Sequence, residues 1–505
     1  MKKIKLATLL ILTCLIAGTF NAQAQKGKTQ GHNIKITFDG LQDTTILLAY
    51  YLHKESRKLI KDSIDLDKKG VGYYKGDEPL DYGIYMVSSP DHRVFEILIH
   101  EDQDFEIYAK YTAPEANIPF SRSVKFKGSE LNDDYYVYQR MLDTVGTRLY
   151  VIDTTLKQNK TLPEEKKKEL EEERKVLQKR IGKFQEGYVE AHPGGFLTKL
   201  FLFNKQIEFP DSLVKSGDRS AMYYYYREHY FDNADLTEPG LLRTPFFEDK
   251  VYGYYDLFNA KEADTIIKYT DELIEKASAN DEMFQFFVRT TLNRYDTTKR
   301  VCMEAVYVNV AFKYYATGKA FWLADTVAAE FVDRAMKMKD LVCDKVAPNI
   351  VLTEYGTNKQ LQLHQVKGER TVLLFWTPDC SHCRKEVPAF FEIFKKYADQ
   401  GIKVYAVCTE VQDEGLKKWR DFIEEKGLKH PNWINLSNNE HNPYFKVLYN
   451  IQTTPQFYLL DENKKIILRR IGVETLEKYF EHEYDKKESD PKGEAIKPED
   501  EEEHP

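Results

Sequence analysis

Between Thr371 and Trp376 the chain runs Thr-Val-Leu-Leu-Phe-Trp without a charge, and after one short turn it enters the polar segment Ser381-His382-Cys383-Arg384-Lys385-Glu386. An apolar strand feeding an amphipathic helix is the unit of an α/β domain with a mixed or parallel sheet. The same texture continues on both sides. Strands are expected at 371–376, 402–408, 456–460 and 466–469, and helices at 381–398, 414–426 and 473–480. The turn carries Cys380 and Cys383, so a Cys-x-x-Cys pair sits where the strand ends and the helix begins.

That placement has chemical consequences. Unpaired amides and the positive end of the helix dipole favour a thiolate at Cys380, which makes it the attacking sulfur. Cys383, three residues on along one helix face, is placed to resolve a mixed disulfide formed at Cys380, and it should be the more buried of the two. His382 between them either lends charge to the thiolate or stands exposed and touches neither sulfur. Other uses of the pair fit less well. Structural zinc needs four ligands and no second ligand pair at a suitable spacing is present. Covalent haem attachment needs His after the second Cys, where Arg384 stands. A bridge for structure alone would close a very short loop and gain little chain entropy.

Ala347-Pro348-Asn349, the Gly368 turn, the apolar strand, Cys380 through Pro388 and Thr453-Thr454-Pro455 together resemble the exported TlpA/ResA branch of thioredoxin-like proteins, over about residues 343–484. The resemblance implies a thioredoxin-like fold and a thiol-disulfide oxidoreductase, more a reductase than an oxidase, that needs no cofactor and no metal. It implies protein thiol or disulfide substrates and an upstream redox donor as partners. Cys380 and Cys383 would form the redox disulfide, and Glu386 would assist the buried thiol as a third catalytic group. Pro455 would be a cis-proline that positions an extended substrate together with Thr454, with Trp376 and His382 completing the substrate-binding set. Two departures matter. Leu374 occupies the place of a buried Asp in cytoplasmic thioredoxins, and Ser-His replaces their Gly-Pro. Thr377 is a peroxiredoxin-like feature, but Leu373 stands where those proteins have Pro, so peroxidase chemistry is not expected.

The pair occupies under a third of a 505-residue chain. Residues 33–128 alternate in short segments such as Ile34 to Phe38 and Phe95 to Ile99, with Asp/Gly and Pro/Asp turns between them, which is the pattern of an antiparallel β-sandwich-like domain. From 129 to 340 helical spacing takes over. The clearest case is 163–191, where Leu170, Leu177, Ile181, Phe184 and Tyr188 form a stripe, read as a solvated helix packed on its own domain before His192-Pro193-Gly194-Gly195 stops it. The Tyr223 to Tyr226 run is read as packing. Residues 343–485 form the α/β domain and 486–505 a charged, disordered tail. The two upstream regions loosely resemble accessory domains attached to such proteins in exported families of the Bacteroidetes.

Lys2, Lys3 and Lys5 before the apolar run Leu6 to Gly18, followed by Ala22-Gln23-Ala24, read as a signal peptide over 1–24, hence an exported, periplasmic protein; lipid attachment at Cys14 fits the residues before it less well. No later apolar run is long enough to span a bilayer. A net charge of -8 leaves no basic footprint for nucleic acid. Among the remaining cysteines, Cys302 and Cys343 flank the last helical segments and are open to a bridge, while Cys408 ends an apolar strand and reads as a buried thiol. Asp followed by Thr or Ser and then an apolar residue or Thr recurs at Asp43, Asp62, Asp143, Asp153, Asp211, Asp264, Asp296 and Asp325, all outside the thioredoxin-like region. It resembles an O-glycosylation signal of periplasmic Bacteroidetes proteins, and it equally suits turns and helix starts. A different class of function stays open: a periplasmic binding or scaffold protein whose upstream domains carry the main role.

Overall fold

The structure, a computed structural model, describes residues 31–112, 118–159, 161–258, 263–296, 298, 301–357, 359–438 and 444–485. The signal segment read at 1–24, Cys14 and the tail from Lys486 lie outside the described residues. Two compact units are present, one made of 1–206 with 240–249 and the other of 207–239 with 250–505. The helical stretch read over 129–340 is thus shared between them.

In the first unit, strands β1 (His32–Asp39), β2 (Thr44–Leu52), β3 (Lys54–Leu66), β4 (Val71–Gly76), β5 (Gly83–Ser88), β6 (Val94–Ile99), β7 (Asp104–Lys110) and β8 (Lys125–Lys127) form two four-stranded sheets, ordered β4-β1-β7-β8 and β3-β2-β5-β6. Period-two alternation buries Ile34, Ile36 and Phe38 of β1. Phe38 meets Phe95 of the other sheet with ring centres 5.9 Å apart, so the buried faces form one sandwich core. Every pairing is antiparallel except β1 with β7, which is parallel because the chain passes through the second sheet before returning to the first. Helix α1 (Glu130–Gln158) begins at Ser129, whose hydroxyl accepts the Asn132 N–H. The buried Asn132 amide accepts from the Leu98 N–H at 2.7 Å and donates to the Leu98 carbonyl at 2.8 Å, which fixes the helix start on β6. Helix α2 (Glu164–Ala191) lays its stripe on α1, with Phe184 stacked on Tyr138 at 5.7 Å, as the solvated-helix reading requires. Helix α3 (Phe196–Asn204) follows.

Helices α4 (Asp211–Ser216), α5 (Arg219–Glu228), α6 (Phe247–Asp256), α7 (Ala263–Ala277), α8 (Asp281–Asp296), α9 (Glu304–Val310), with a π-helical continuation over 311–315, and α10 (Asp325–Met338) complete the helical stretch. Tyr225 and Tyr226 of α5 pack beside Phe209, at 5.9 and 6.3 Å, in line with packing rather than a binding platform. Asp211, Asp264 and Asp325 each fall in the first turn of a helix, where a carboxylate complements the helix dipole.

The C-terminal part of the second unit is a seven-stranded sheet of order β10-β9-β13-β12-β11-β14-β15. Its elements are β9 (Val351–Glu354), β10 (Gln360–Gln362), β11 (Arg370–Trp376), α11 (Ser381–Tyr397), β12 (Ile402–Cys408), α12 (Asp413–Lys426), β13 (Trp433–Ser437), α13 (Tyr444–Leu448), β14 (Gln456–Leu460), β15 (Ile466–Ile471) and α14 (Val473–Phe480). Strands β11, β12 and β13 run parallel, and β14 and β15 are antiparallel to their neighbours. Alternation along β11 sends Val372, Leu374 and Trp376 into a core shared with α11, α12 and α14. Leu373 and Phe375 enter a second core, on the opposite face, with Phe445 and Tyr449. β11 is therefore buried on both faces, as its uncharged run requires.

Cys302 and Cys343 are bridged, with Cα atoms 5.3 Å apart and 41 residues of sequence separation. In the chain-entropy model a loop of that length gains about 4 kcal/mol from closure. Cys380, Cys383 and Cys408 are free, and Cys408 is buried at the end of β12. No helix among the described residues is long and apolar enough to cross a membrane.

Candidate active site

Strand β11 delivers the chain to Thr377-Pro378-Asp379, and α11 starts immediately after Cys380. Cys380 is itself the N-cap of α11: its sulfur accepts the Cys383 N–H at 3.3 Å, in the place a Ser or Asp oxygen would take at an ordinary helix start. Its Sγ also lies 3.1 Å from the Thr454 carbonyl oxygen, to which the protonated thiol donates. The Thr454–Pro455 peptide is cis.

The two thiols differ in the direction the fold predicts. Cys380 is partly exposed and Cys383 fully buried. Partial burial works against the Cys380 thiolate. Hydrogen bonds from the Cys383 side chain and backbone, the Thr454 side chain and the His382 backbone outweigh it and hold the pKa below the usual thiol value. Cys383 is pushed up to about 12 by burial in the core beneath α11, against opposing bonds from the Thr377 backbone and the Thr454 side chain and with smaller raising contributions from its neighbour Cys380. The chemistry this permits is ordered. The accessible sulfur is the easier of the two to ionise and the buried one the harder.

Alkylation should show that order. The thiolate fraction grows as pH rises through the pKa, so the lowered value moves Cys380 modification to a lower pH than that of a free thiol. Cys383 is expected to stay unmodified in the folded protein through pH 10. Equal labelling of both positions by iodoacetamide, followed by peptide mass spectrometry, would refute the asymmetry.

Of the other residues singled out from sequence, His382 is exposed beside Cys380 and Thr454 and Pro455 form the opposing wall. Glu386 is half-buried one helical turn beyond Cys383. Its carboxylate makes no hydrogen bond among the described residues, and the groups bonded to the sulfurs are Thr377, Thr454, the His382 backbone and the two cysteines themselves. Trp376 does not belong to the substrate-binding set. It is 0% exposed, on the same β11 face as Leu374, with its ring 5.6 Å from Phe422 of α12. Strand alternation turns it into the core, and the chain has to leave the strand before a side chain can face a substrate.

Glu410 was not legible as part of this region. The register pairs Trp376 with Cys408, so the residues just past both strand ends are neighbours, and Thr377 donates to the Glu410 carboxylate at 2.8 Å. Asp379 is tied to Lys418 of α12 at 3.2 Å. These two contacts brace the turn that carries Cys380 on either side. The parallel pairing of β11 with β12 was the available signal, and only the register converts it into a contact.

Residues 343–469 match the family model described as the AhpC/TSA family, and residues 158–333 one described as a domain of unknown function (DUF5106). The chain is 30% identical over 135 residues to thiol-disulfide oxidoreductase ResA of Bacillus thuringiensis (strain Al Hakam), spanning 26% of this chain and 72% of that protein. It is 31% identical over 132 residues to the thioredoxin-like protein YneN of Bacillus subtilis (strain 168), covering 26% and 72%. A solved domain of a possible thiol-disulfide isomerase from Cytophaga hutchinsonii ATCC 33406 is 34% identical, covers 30% of this chain and 98% of its own, and has a TM-score of 0.26.

Proposed function

Because the chain belongs, through its C-terminal domain, to the thioredoxin-like thiol-disulfide oxidoreductases related to ResA, we propose that it is an exported, periplasmic reductase of protein disulfides. Cys380 attacks the substrate disulfide, Cys383 resolves the mixed disulfide, and Thr454 with the cis Pro455 aligns the substrate strand beside the sulfur. His382 lies at the mouth of the site, and Glu386 serves as proton partner to Cys383 through intervening water. The redox module is assigned to residues 343–485. The observation that carries the reading is the geometry of the pair: Cys380 is partly exposed at the start of α11 and 3.1 Å from the Thr454 carbonyl, and Cys383 is fully buried.

The direction rests on what stabilises the thiolate. The groups that lower the Cys380 pKa are neutral donors: a thiol, a hydroxyl and backbone amides. A strongly oxidising pair owes its potential to a heavily stabilised reduced form, and none of these donors carries a charge. The equilibrium potential of the Cys380/Cys383 couple against glutathione is therefore expected well below the about -120 mV of a strong disulfide oxidant. A value at or above that level would reverse the assigned direction while leaving the oxidoreductase class intact.

A further inference from the structure

Edge strand β15 carries, at one place, two features that the Cys380/Cys383 chemistry does not use. The first is the Cys302–Cys343 bridge, both of whose cysteines are partly exposed. Its two sulfurs lie 3.3 and 3.5 Å from the Ile467 carbonyl oxygen. The second stands two residues further along the strand. The Arg469 side chain is 0% exposed, and its Nε is 3.8 Å from Oε1 of Glu304, beyond hydrogen-bond length. Among the described residues none of the three Arg469 nitrogens has a hydrogen-bond partner, and Oε2 of Glu304 has none either.

A buried guanidinium left without hydrogen bonds loses more in hydration than a loose ion pair returns. Burial accordingly holds the Arg469 pKa below its usual value, with Glu304 opposing. Val301, packed at the margin of the core beneath α11, supplies the apolar part of the contact. Residues 301–304 are therefore seated on β15 against an electrostatic penalty, and the covalent bridge at Cys302 lies inside the seated segment.

We propose that the Cys302–Cys343 disulfide is a redox latch: while oxidised it holds residues 301–304 over Arg469 on β15, and reduction by a dithiol releases them and returns Arg469 and Glu304 to water. A thiolate of the dithiol attacks one sulfur of the bridge, so the S–S bond breaks as a mixed disulfide forms. The reductant's second thiol then closes its own disulfide and expels the remaining cysteine. The dithiol loses two electrons and two protons, and Cys302 and Cys343 leave as two thiols. A protein dithiol of the class to which Cys380/Cys383 belongs would serve as reductant.

The test uses the full chain carrying Cys380→Ser and Cys383→Ser, so that its outcome does not depend on the proposed redox pair. Hydrogen exchange is compared before and after dithiothreitol. Amides of 301–306 and 466–471 are expected to exchange at least about tenfold faster after reduction, while those of 402–408 keep their protection. Adding Glu304→Leu with Arg469→Met should restore protection in the reduced protein, because the penalty for seating is removed. A measurement without any change at the ion pair accompanies it: trypsin should cleave after Arg469 at least about tenfold faster in the reduced protein. Unchanged exchange and cleavage on reduction would overturn the latch and leave a static staple. Loss of protection across 402–408 as well would replace it by global unfolding. Failure of the apolar pair to restore protection would remove Arg469 as its cause.

Discussion

Cys380→Ser is expected to lower turnover in insulin-disulfide reduction by about a thousandfold or more, the scale on which loss of a nucleophile acts, whereas Cys383→Ser should stall the enzyme after its first step. The difference follows from the geometry. Cys380 is the sulfur that is accessible, bonded to the Cys383 N–H and pKa-lowered. A hydroxyl there titrates far above any working pH and cannot attack. In Cys383→Ser the backbone amide of residue 383 still caps the Cys380 sulfur, so the thiolate and its reactivity survive. No second thiol is then present to release the client. Non-reducing electrophoresis should show a client-linked adduct through Cys380, stable until dithiothreitol is added. Turnover above a tenth of the parent rate in Cys380→Ser would sink the assignment. So would an adduct formed through Cys408, which the fold buries and whose pKa burial raises.

The second large effect is on stability. Trp376→Ala is expected to destabilise the C-terminal domain by about 3–5 kcal/mol, the cost of removing a large buried aromatic side chain. Trp376 fills the space between β11 and α12, and collapse there is opposed by the register that also places Thr377 against Glu410. The shift is read in the denaturation midpoint of the transition that includes β11. The milder Trp376→Phe keeps an aromatic ring in the core and should leave the KM for a protein substrate within about twofold. A tenfold rise in KM for that variant, with an unmoved midpoint, would put the indole back among substrate contacts.

How far the chain could be read without coordinates varied with the length of the local signal. The strands at 402–408 and 456–460 and the helix at 473–480 carry the limits read for them, because each is an unbroken apolar or amphipathic run. β9, β10, β13 and α13 were missed. Each has five residues or fewer, too short for a period to register, and they owe their existence to pairing and to the Phe375 core. The parallel β1–β7 pairing was hidden for a related reason, since alternation reports which face is buried and not which neighbour a strand takes. The bridge between Cys302 and Cys343 was open from spacing and decided by a Cα separation of 5.3 Å.

At the site, spacing was enough to expect which thiol is accessible and which is buried. A Cys-x-x-Cys at a strand-to-helix junction fixes which sulfur meets the free amides and which one turns inward, because helix geometry is local. Tertiary structure decided everything that depends on alignment between distant segments. It brought Thr454 to Cys380 across 74 residues of chain and Glu410 to Thr377 across 33. It withdrew Trp376 into the core, and it set Arg469 in a loose ion pair with Glu304, without a hydrogen bond among the described residues. Local sequence determines a backbone path and the periodicity of its faces. Strand register and core packing are collective properties of the folded chain, and they determine what each face meets.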